Sequence, residues 1–270
     1  MENADKQVKE IPVSHRREKL SPFFINRVGE IHINKQGCEF KIIECLNSKK
    51  LTLMFLDSYE HTLYNRCYTD VLKGEVKNPY YPSVYTVGYI GVGKYSNKSH
   101  PEIYEKWKRM IHRCYDEKSL ISTPCYRETS VCTEWHNLQN FGEWYEENYN
   151  PKTMQGWQLD KDILQNGNKI YSPETCCFIP QDVNKFLVRP SNRRDKLPLG
   201  IRLIGKVYEV SISKHNKRVR LGSNTIIEKA FELYKNAKEE YAKEIAENYK
   251  GIIDERVYQT LINFKINITD

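Results

Sequence analysis

The segment 159–184 limits the choice of fold more than any other part of the chain, because it combines short strand-like runs with clear turn and helix-start signals. Its first run ends in Asp160-Lys161-Asp162, and the Gly167-Asn168 pair that follows favours a tight turn. A second short run precedes Pro180, where a helix is predicted to open. The order of these signals predicts a strand–turn–strand–helix unit of 26 residues.

Length and composition set the frame around this unit. The chain has 270 residues, of which 39% are hydrophobic, and this suits two or three small domains better than one large core. No apolar run is long enough for a membrane-spanning helix, and the first 26 residues lack the apolar stretch of a secretory signal. We therefore expect a cytoplasmic protein without a membrane partner.

The chain is predicted to have three parts after a polar tail at residues 1–26. Residues 27–97 contain short β-rich runs separated by polar turns, which favours a small β-barrel-like module. Residues 98–190 begin with two helices, each with an apolar stripe at helical spacing, and they include the segment 159–184. Residues 196–270 read as three strands followed by a long helix with a helical extension. The predicted fold class is α+β.

Positive charge is concentrated in one stretch of the third part. Between residues 191 and 222 the chain has nine basic and two acidic residues, a net charge of +7, which equals the net charge of the whole chain. Such a concentration is typical of a surface that binds a phosphate backbone, although a merely solvated surface is the alternative. The basic residues are Arg193, Arg194, Lys196, Arg202, Lys206, Lys214, Lys217, Arg218 and Arg220.

Alternation along the strands assigns these side chains to faces. Successive residues of a strand point to opposite sides of a sheet. Tyr208, Val210, Ile212 and Leu221 are therefore predicted to face the helix that follows the strands. The residues between them are predicted to form the opposite face: Glu209, Ser211, Ser213, Arg218 and Arg220.

The segment 159–184 resembles the catalytic unit of HNH endonucleases of the phage and homing type. The matching positions are Asp160, Gly167-Asn168-Lys169, Pro173-Glu174, Phe178-Ile179 and Asn184. The resemblance implies a ββα-metal fold that holds Mg²⁺ or another divalent metal through Asp160, Asp162 and Asn184. Two positions depart from the family pattern, since Lys161 replaces the histidine that acts as general base and Thr175 replaces the central asparagine. Lys161 beside two carboxylates should stay protonated, so it suits a phosphate contact better than proton abstraction.

Three explanations of this unit remain open. It is a retired nuclease whose fold persists as a DNA-binding or scaffold unit. Alternatively, it is a variant nuclease in which Asp160, Asp162 and Asn184 bind Mg²⁺ and the neighbouring helices supply another base, such as His136 or His112. In the third explanation the match is accidental, and Asp160 and Asp162 are merely exposed on a turn. Asp162 and Asn184 are also residue types that are common in turns and helix caps.

The segment from about residue 200 to 238 resembles the Apetala-type (ethylene-response-factor-like) DNA-binding domain. It shares a G-x-R start, G-K-x-Y in the second strand, R-x-R-L-G in the third and A-x-x-x-Y in the helix. The resemblance implies that the outer sheet face enters the major groove of double-stranded DNA through Arg202, Arg218 and Arg220. Backbone contacts are expected from Arg193, Arg194, Lys206, Lys214 and Lys217. Glu209 and Ser211 stand where the family commonly has an arginine.

Together these resemblances imply a phage-encoded DNA-binding protein derived from an HNH homing-type endonuclease and acting in the cytoplasm of a bacterial host. Its catalysis is expected to be weak or lost because of Lys161, and without catalysis no cofactor is needed. One alternative is an active endonuclease that depends on Mg²⁺ or another divalent metal. Another is a phage antagonist that binds and inhibits a host DNA-processing defence complex. Double-stranded DNA is the expected partner, with a host protein and a homo-oligomer as further candidates.

Overall fold

The computed structural model describes residues 27–165, 167–187 and 197–269. Arg193 and Arg194 lie outside these ranges, so their predicted DNA contacts have no structural account. The chain divides into two compact units between Tyr81 and Pro82. The predicted boundary at residue 97 differs from this division, because the segment from 82 onward packs into the second unit. There Gly88 lies so close to Trp107 that a Cβ atom at Gly88 would be 2.7 Å from the indole ring.

In its described residues, 27–81, the first unit contains an antiparallel four-stranded sheet in the order β1-β2-β3-β4 and one short helix. Its strands alternate buried and exposed side chains, so Phe40, Ile42, Leu51, Leu53 and Phe55 collect on one face. Val71 and Val76 pack against that face. The elements are β1 Ile31–Ile33, β2 Glu39–Asn47, β3 Lys50–Phe55, β4 Thr62–Arg66 and α1 Tyr68–Leu72.

The predicted barrel-like closure of this module is wrong. In the described sheet β1 and β4 are separate edges that do not pair with each other. β1 has three residues and β4 has five, which gives little backbone for an additional ladder. Val71 of α1 and the following Val76 cover the apolar face instead, so the core is completed by packing rather than by strand closure.

Among the described residues, the second unit contains most of the helices and three small sheets. β5 pairs with β7 in parallel, β6 pairs with β8 antiparallel, and β9, β10 and β11 form an antiparallel sheet with β10 in the centre. The elements before the gap at 188–196 are α2 Pro101–Tyr115, α3 Glu117–Ser122, β5 Ser130–Val131, α4 Leu138–Asn148, β6 Gln158–Asp160, β7 Ile170–Tyr171, β8 Cys177–Ile179 and α5 Gln181–Leu187. Those after it are β9 Ile201–Ile204, β10 Val207–Lys214, β11 Lys217–Asn224, α6 Ile227–Asn248 and α7 Glu255–Ile262.

The predicted α+β class is confirmed, and the two helices ahead of the 159–184 segment are present as α2 and α4. α2 buries Ile103, Trp107, Met110, Ile111 and Cys114 along one stripe. α4 begins later than the aromatic stripe indicates: a 3₁₀ turn covers Thr133–His136, and the side chain of Asn137 then caps α4 by accepting a hydrogen bond from the Gln139 N–H.

One continuous core joins the parts predicted as separate domains at 98–190 and 196–270. The ring of Phe186 on α5 lies 5.7 Å from Tyr241 on α6 and 5.0 Å from Phe264 after α7. Lys238 of α6 also donates to the Phe186 carbonyl at 2.7 Å. Since these contacts bury apolar surface from both parts, α6 and α7 complete the core beneath the 159–184 segment.

Candidate nucleic-acid interface

In the described part of the chain, α6 packs on one face of the sheet β9–β11, and no helix covers the other face. Val210 and Ile212 of β10 are almost fully buried on the helix side, against Ala230, Phe231 and Tyr234. Arg202, Ser213, Arg218 and Arg220 are exposed. A bulge between Val210 and Ser211 places Leu221 as an extra residue on β11. The alternation along β10 is kept across the bulge, so Glu209, Ser211 and Ser213 share the outer face.

Glu209 lies at the centre of this outer face, among three arginines. Its Oε2 is 3.1 Å from Nε of Arg220, and its Oε1 is 3.9 Å from Nη2 of Arg218. Arg202 is its cross-strand neighbour on β9. The side chains of Arg218 and Arg220 are more than half exposed. The carboxylate therefore fixes the direction of two guanidinium groups while leaving most of their donors toward solvent.

Ser211 gives Arg218 a second anchor. Nε of Arg218 donates to Oγ of Ser211 at 2.9 Å, and Ser211 itself is only 8% exposed. This hydroxyl contributes to a recess of about 240 Å³ between Arg202 and Arg218, which we call the arginine recess. Two guanidinium groups and a hydroxyl are suitable partners for one oxyanion. The lining residues are Leu197, Pro198, Gly200, Ile201, Arg202, Ser211 and Arg218.

A close backbone approach at Gly200 forms one wall of the arginine recess. Gly200 has φ of +73°, and a Cβ atom there would overlap the Tyr234 ring and lie 2.8 Å from the Ser211 carbonyl oxygen. The Ser211 N–H donates to the Gly200 carbonyl at 2.9 Å. Sequence reasoning missed this recess, and the available signal was the glycine directly before the first strand.

The predicted backbone-contacting lysines have different environments. Lys206 and Lys217 are exposed at the two tight turns of the sheet. Lys214 is engaged with the helix instead: its Nζ is 2.5 Å from Oε2 of Glu244 and lies 5.0 Å from the centre of the Tyr241 ring. The positive charge of the outer face therefore comes mainly from arginines, and Lys206 and Lys217 lie at the turns that end the strands.

Within the segment 159–184, β6 pairs antiparallel with β8, and α5 follows β8 in a ββα order. The strand directly after the Gly167-Asn168 turn is β7, which pairs in parallel with β5 and not with β6. Asp160 ends β6, and its Oδ1 accepts hydrogen bonds from the N–H groups of Asp162 and Ile163, both at 2.8 Å. Burial raises the pKa of the Asp160 carboxyl, while these two N–H groups act in the opposite direction. The carboxylate is therefore already used to hold the turn that follows β6.

Lys161 points into the loop between β6 and β7 and not toward solvent. It is 7% exposed, and its ammonium donates to Oδ1 of Asp162 at 2.5 Å and to the Asn168 carbonyl at 2.9 Å. Nδ2 of Asn168 returns a hydrogen bond to the Lys161 carbonyl at 2.9 Å. These hydrogen bonds hold the loop together. An ammonium group has no lone pair that could accept a proton, so in this arrangement it does not provide a general base.

The remaining predicted catalytic and metal residues are engaged elsewhere. Nδ2 of Asn184 on α5 donates to the Gln158 side chain on β6. Nε2 of His136 lies 3.1 Å from the Val131 carbonyl oxygen, and burial lowers the pKa of His136. One loop thus brings Asp160, Lys161 and Asp162 together, but His136 and Asn184 have partners of their own. Across residues 27–165, 167–187 and 197–269, no group of three or more His, Cys, Asp or Glu residues is arranged to hold a metal ion.

Comparisons with known proteins identified no relative of this chain. In the described parts of the chain, no helix combines the length and the apolar character that a membrane span requires. No family model matches the sequence, and the searches of curated proteins and of solved structures gave no match either.

Proposed function

We propose that the outer face of the β9–β11 sheet binds double-stranded DNA. The observation that carries this proposal is the set of three exposed arginines on the outer face, two of which contact Glu209 and one of these also Ser211. A pre-oriented guanidinium loses less conformational freedom when it meets a phosphate or a guanine edge than a free side chain does. A β-sheet face of this kind can be accommodated in the major groove.

Glu209 sets the expected character of the binding. Its carboxylate lies in the middle of the proposed interface and repels the phosphates that the arginines attract. We therefore expect attraction to the DNA backbone to contribute most of the affinity, with limited reading of base edges through Arg202, Arg218 and Arg220. Binding of this type weakens steeply as the salt concentration rises, because each contacted phosphate releases a condensed counterion.

Charge reversal on the outer face tests this proposal. Arg218→Glu combined with Arg220→Glu should weaken binding to a labelled duplex by at least tenfold. It should also lower the slope of log K against log salt by about 0.9 for each phosphate that the variant no longer neutralises. Fluorescence anisotropy over a salt series measures both quantities.

The matched control changes the same amount of charge on the helix side of the same unit. Lys229→Glu combined with Lys243→Glu reverses two exposed lysines of α6, the helix that packs on the other face of the sheet. This control should retain the salt slope. If both double variants behave like the wild type, or if they weaken binding equally, the proposed interface is wrong. A protein that acts only by binding and inhibiting a host protein would give the first result, in which both double variants behave like the wild type.

A metal-dependent endonuclease is the second candidate, because the ββα layout places Asp160 and Asp162 together at the end of β6. Incubation of supercoiled DNA with Mg²⁺ or Mn²⁺ tests it. Asp160→Asn is the informative variant, since an amide oxygen can still accept the two backbone hydrogen bonds while its lack of charge weakens metal binding. Nicking by the wild type that is lost in Asp160→Asn supports the nuclease, and absence of nicking by the wild type excludes it under these conditions.

A further inference from the structure

A second cluster of basic and aromatic side chains lies on α2, away from the residues of the sheet. Glu105, Lys108, Arg109 and His112 recur at helical spacing and therefore share one face of α2. Together with Tyr85 they line a recess of about 190 Å³, which we call the Tyr85 pocket. Among the described residues, neither Lys108 nor Arg109 is within 4.0 Å of a carboxylate, whereas Nε2 of His112 is 3.4 Å from Asp116.

The loop that presents Tyr85 has an unfavourable backbone. Tyr85 and Thr86 have φ of +49° and +61°, a region that L side chains rarely adopt. Val84 and Gly88 exchange two backbone hydrogen bonds of 2.9 Å around them, so the loop is a closed hairpin tip. Glycine or asparagine normally fills such positions, and a tyrosine there requires support from surrounding structure.

That support is visible in the packing of the hairpin. A Cβ atom at Gly88 would be 2.7 Å from the ring of Trp107, which is fully buried. The next residue, Tyr89, is held by two backbone hydrogen bonds: its N–H donates to the His136 carbonyl at 2.9 Å, and its carbonyl accepts from Leu138 N–H at 3.0 Å. The hairpin is thus fixed on α2 and places the Tyr85 ring 4.9 Å from the ring of His112. Strained residues that a structure holds in place are concentrated at functional sites.

We propose that the Tyr85 pocket binds one nucleotide unit of single-stranded DNA. Lys108 and Arg109 supply two positive charges and Glu105 one negative charge, which leaves a net charge of +1 to meet a singly charged phosphodiester. The half-buried ring of Tyr85 beside these cations provides a stacking surface for a base. The carboxylate of Glu105 can accept a hydrogen bond from the exocyclic amino group of a base. Stacking on a tyrosine ring does not distinguish one base from another, so this hydrogen bond is what would favour a base with an amino group. This site is additional to the duplex-binding sheet and does not depend on it.

Binding of a short labelled single-stranded oligonucleotide tests the proposal. The measurement is made in the wild type and in the Arg218→Glu/Arg220→Glu background, where the sheet contributes little. Arg109→Glu should weaken binding and reduce the salt slope by about 0.7, the value for one phosphate contact with a single strand. Lys118→Glu makes the same kind of charge reversal at an exposed position of α3 and should leave the slope unchanged.

Two turn variants separate stacking from backbone strain. Tyr85→Asn removes the ring but suits the positive φ, and it should weaken single-strand binding about tenfold, as loss of one stacked base does. Thr86→Gly relieves strain in the same turn, keeps the ring and should retain affinity while raising the melting temperature. If Tyr85→Asn is folded and binds as tightly as the wild type, or if Lys118→Glu weakens binding as much as Arg109→Glu, the site is wrong. Loss of duplex binding in the sheet variant alone leaves this proposal standing, so the two proposals fail separately.

Discussion

Lys161 shows how one residue type can change what a loop does. The sequence pattern places it where the resembling nucleases have a catalytic histidine, and the structure buries its ammonium among Asp162 and the Asn168 carbonyl. A buried ammonium with charged and carbonyl partners stabilises the fold, because these partners replace the hydrogen bonds that its donors would make to water. The residue could be singled out from the sequence, but its inward direction could not, since it depends on how residues 161–169 close on themselves.

Lys161→Ala should therefore destabilise the second unit by about 2 kcal/mol, the size expected when hydrogen bonds from a buried charged group are removed. All four tryptophans, at positions 107, 135, 144 and 157, lie in this unit, so urea unfolding followed by tryptophan fluorescence reports on it selectively. Lys152→Ala at an exposed position is the control and should change the free energy of unfolding very little. Equal effects of the two substitutions would contradict a structural role for Lys161.

A pair of glycines separates backbone strain from steric overlap. Gly200 and Gly205 both have positive φ, +73° and +61°, but an added Cβ atom overlaps Tyr234 only at Gly200 and meets nothing within 4 Å at Gly205. Gly205→Ala should cost about 1 kcal/mol, the penalty of the left-handed backbone alone. Gly200→Ala should cost about 3 kcal/mol, because overpacking adds to that penalty. Thermal unfolding of both variants measures the difference, and similar melting temperatures would show that the chain relaxes around Tyr234.

At the scale of elements, period-2 alternation was enough to assign both faces of the β9–β11 sheet. It worked because the inner face is buried against α6, which fixes which side chains point inward. It failed at the details that depend on tertiary packing. The bulge at Leu221 interrupts the ladder between β10 and β11. The arginine recess beside the buried Ser211 is lined in part by Leu197, Pro198 and Gly200, which lead into β9. The open sheet of the first unit was missed for a related reason, since strand signals do not reveal whether edges meet.

Glu209 gives the sheet a charge pattern that can be tested directly. Glu209→Gln removes the negative charge from the outer face but keeps hydrogen-bonding capacity toward Arg218 and Arg220. We expect affinity for random-sequence duplex to rise about threefold to tenfold, since one charge repulsion near a phosphate is worth about 1 kcal/mol at a solvated surface. Stability should change by less than about 1 kcal/mol, because surface ion pairs contribute little.

Anisotropy titration and thermal unfolding measure these two effects. Glu228→Gln makes the same charge change at an exposed position of α6 and serves as the control for net charge. A decrease in affinity for Glu209→Gln would show that the orienting contacts of the carboxylate outweigh its repulsion of phosphate.

At the scale of the whole molecule, the sequence predicted the elements better than their grouping. The helix and strand patterns are local, whereas the shared core of the second unit depends on contacts between distant residues. Tyr249 donates to Asp182 at 2.9 Å across 67 positions, and Nη1 of Arg256 donates to the Glu174 carbonyl at 3.1 Å across 82. No pattern within either segment indicates such a contact. The predicted division near residue 190 followed from the local strand and helix patterns and from two separate family resemblances, none of which reports on a shared core.

This shared core predicts how fragments behave. A fragment of residues 98–190 lacks Tyr241 of α6 and Phe264 after α7, which pack on Phe186. It also lacks the hairpin Val84–Gly88, which packs on Trp107. It should therefore bind a hydrophobic dye and show no cooperative unfolding transition, because the apolar surface it exposes is a large part of the core. The fragment 82–270 should unfold cooperatively at the temperature of the second unit in the full chain. The fragment 82–190 restores the hairpin but still lacks α6 and α7. Calorimetry of the three fragments shows whether the hairpin or the C-terminal helices are needed for cooperative unfolding. If the fragment 98–190 unfolds cooperatively at that same temperature, the ββα unit folds by itself and does not require α6 and α7.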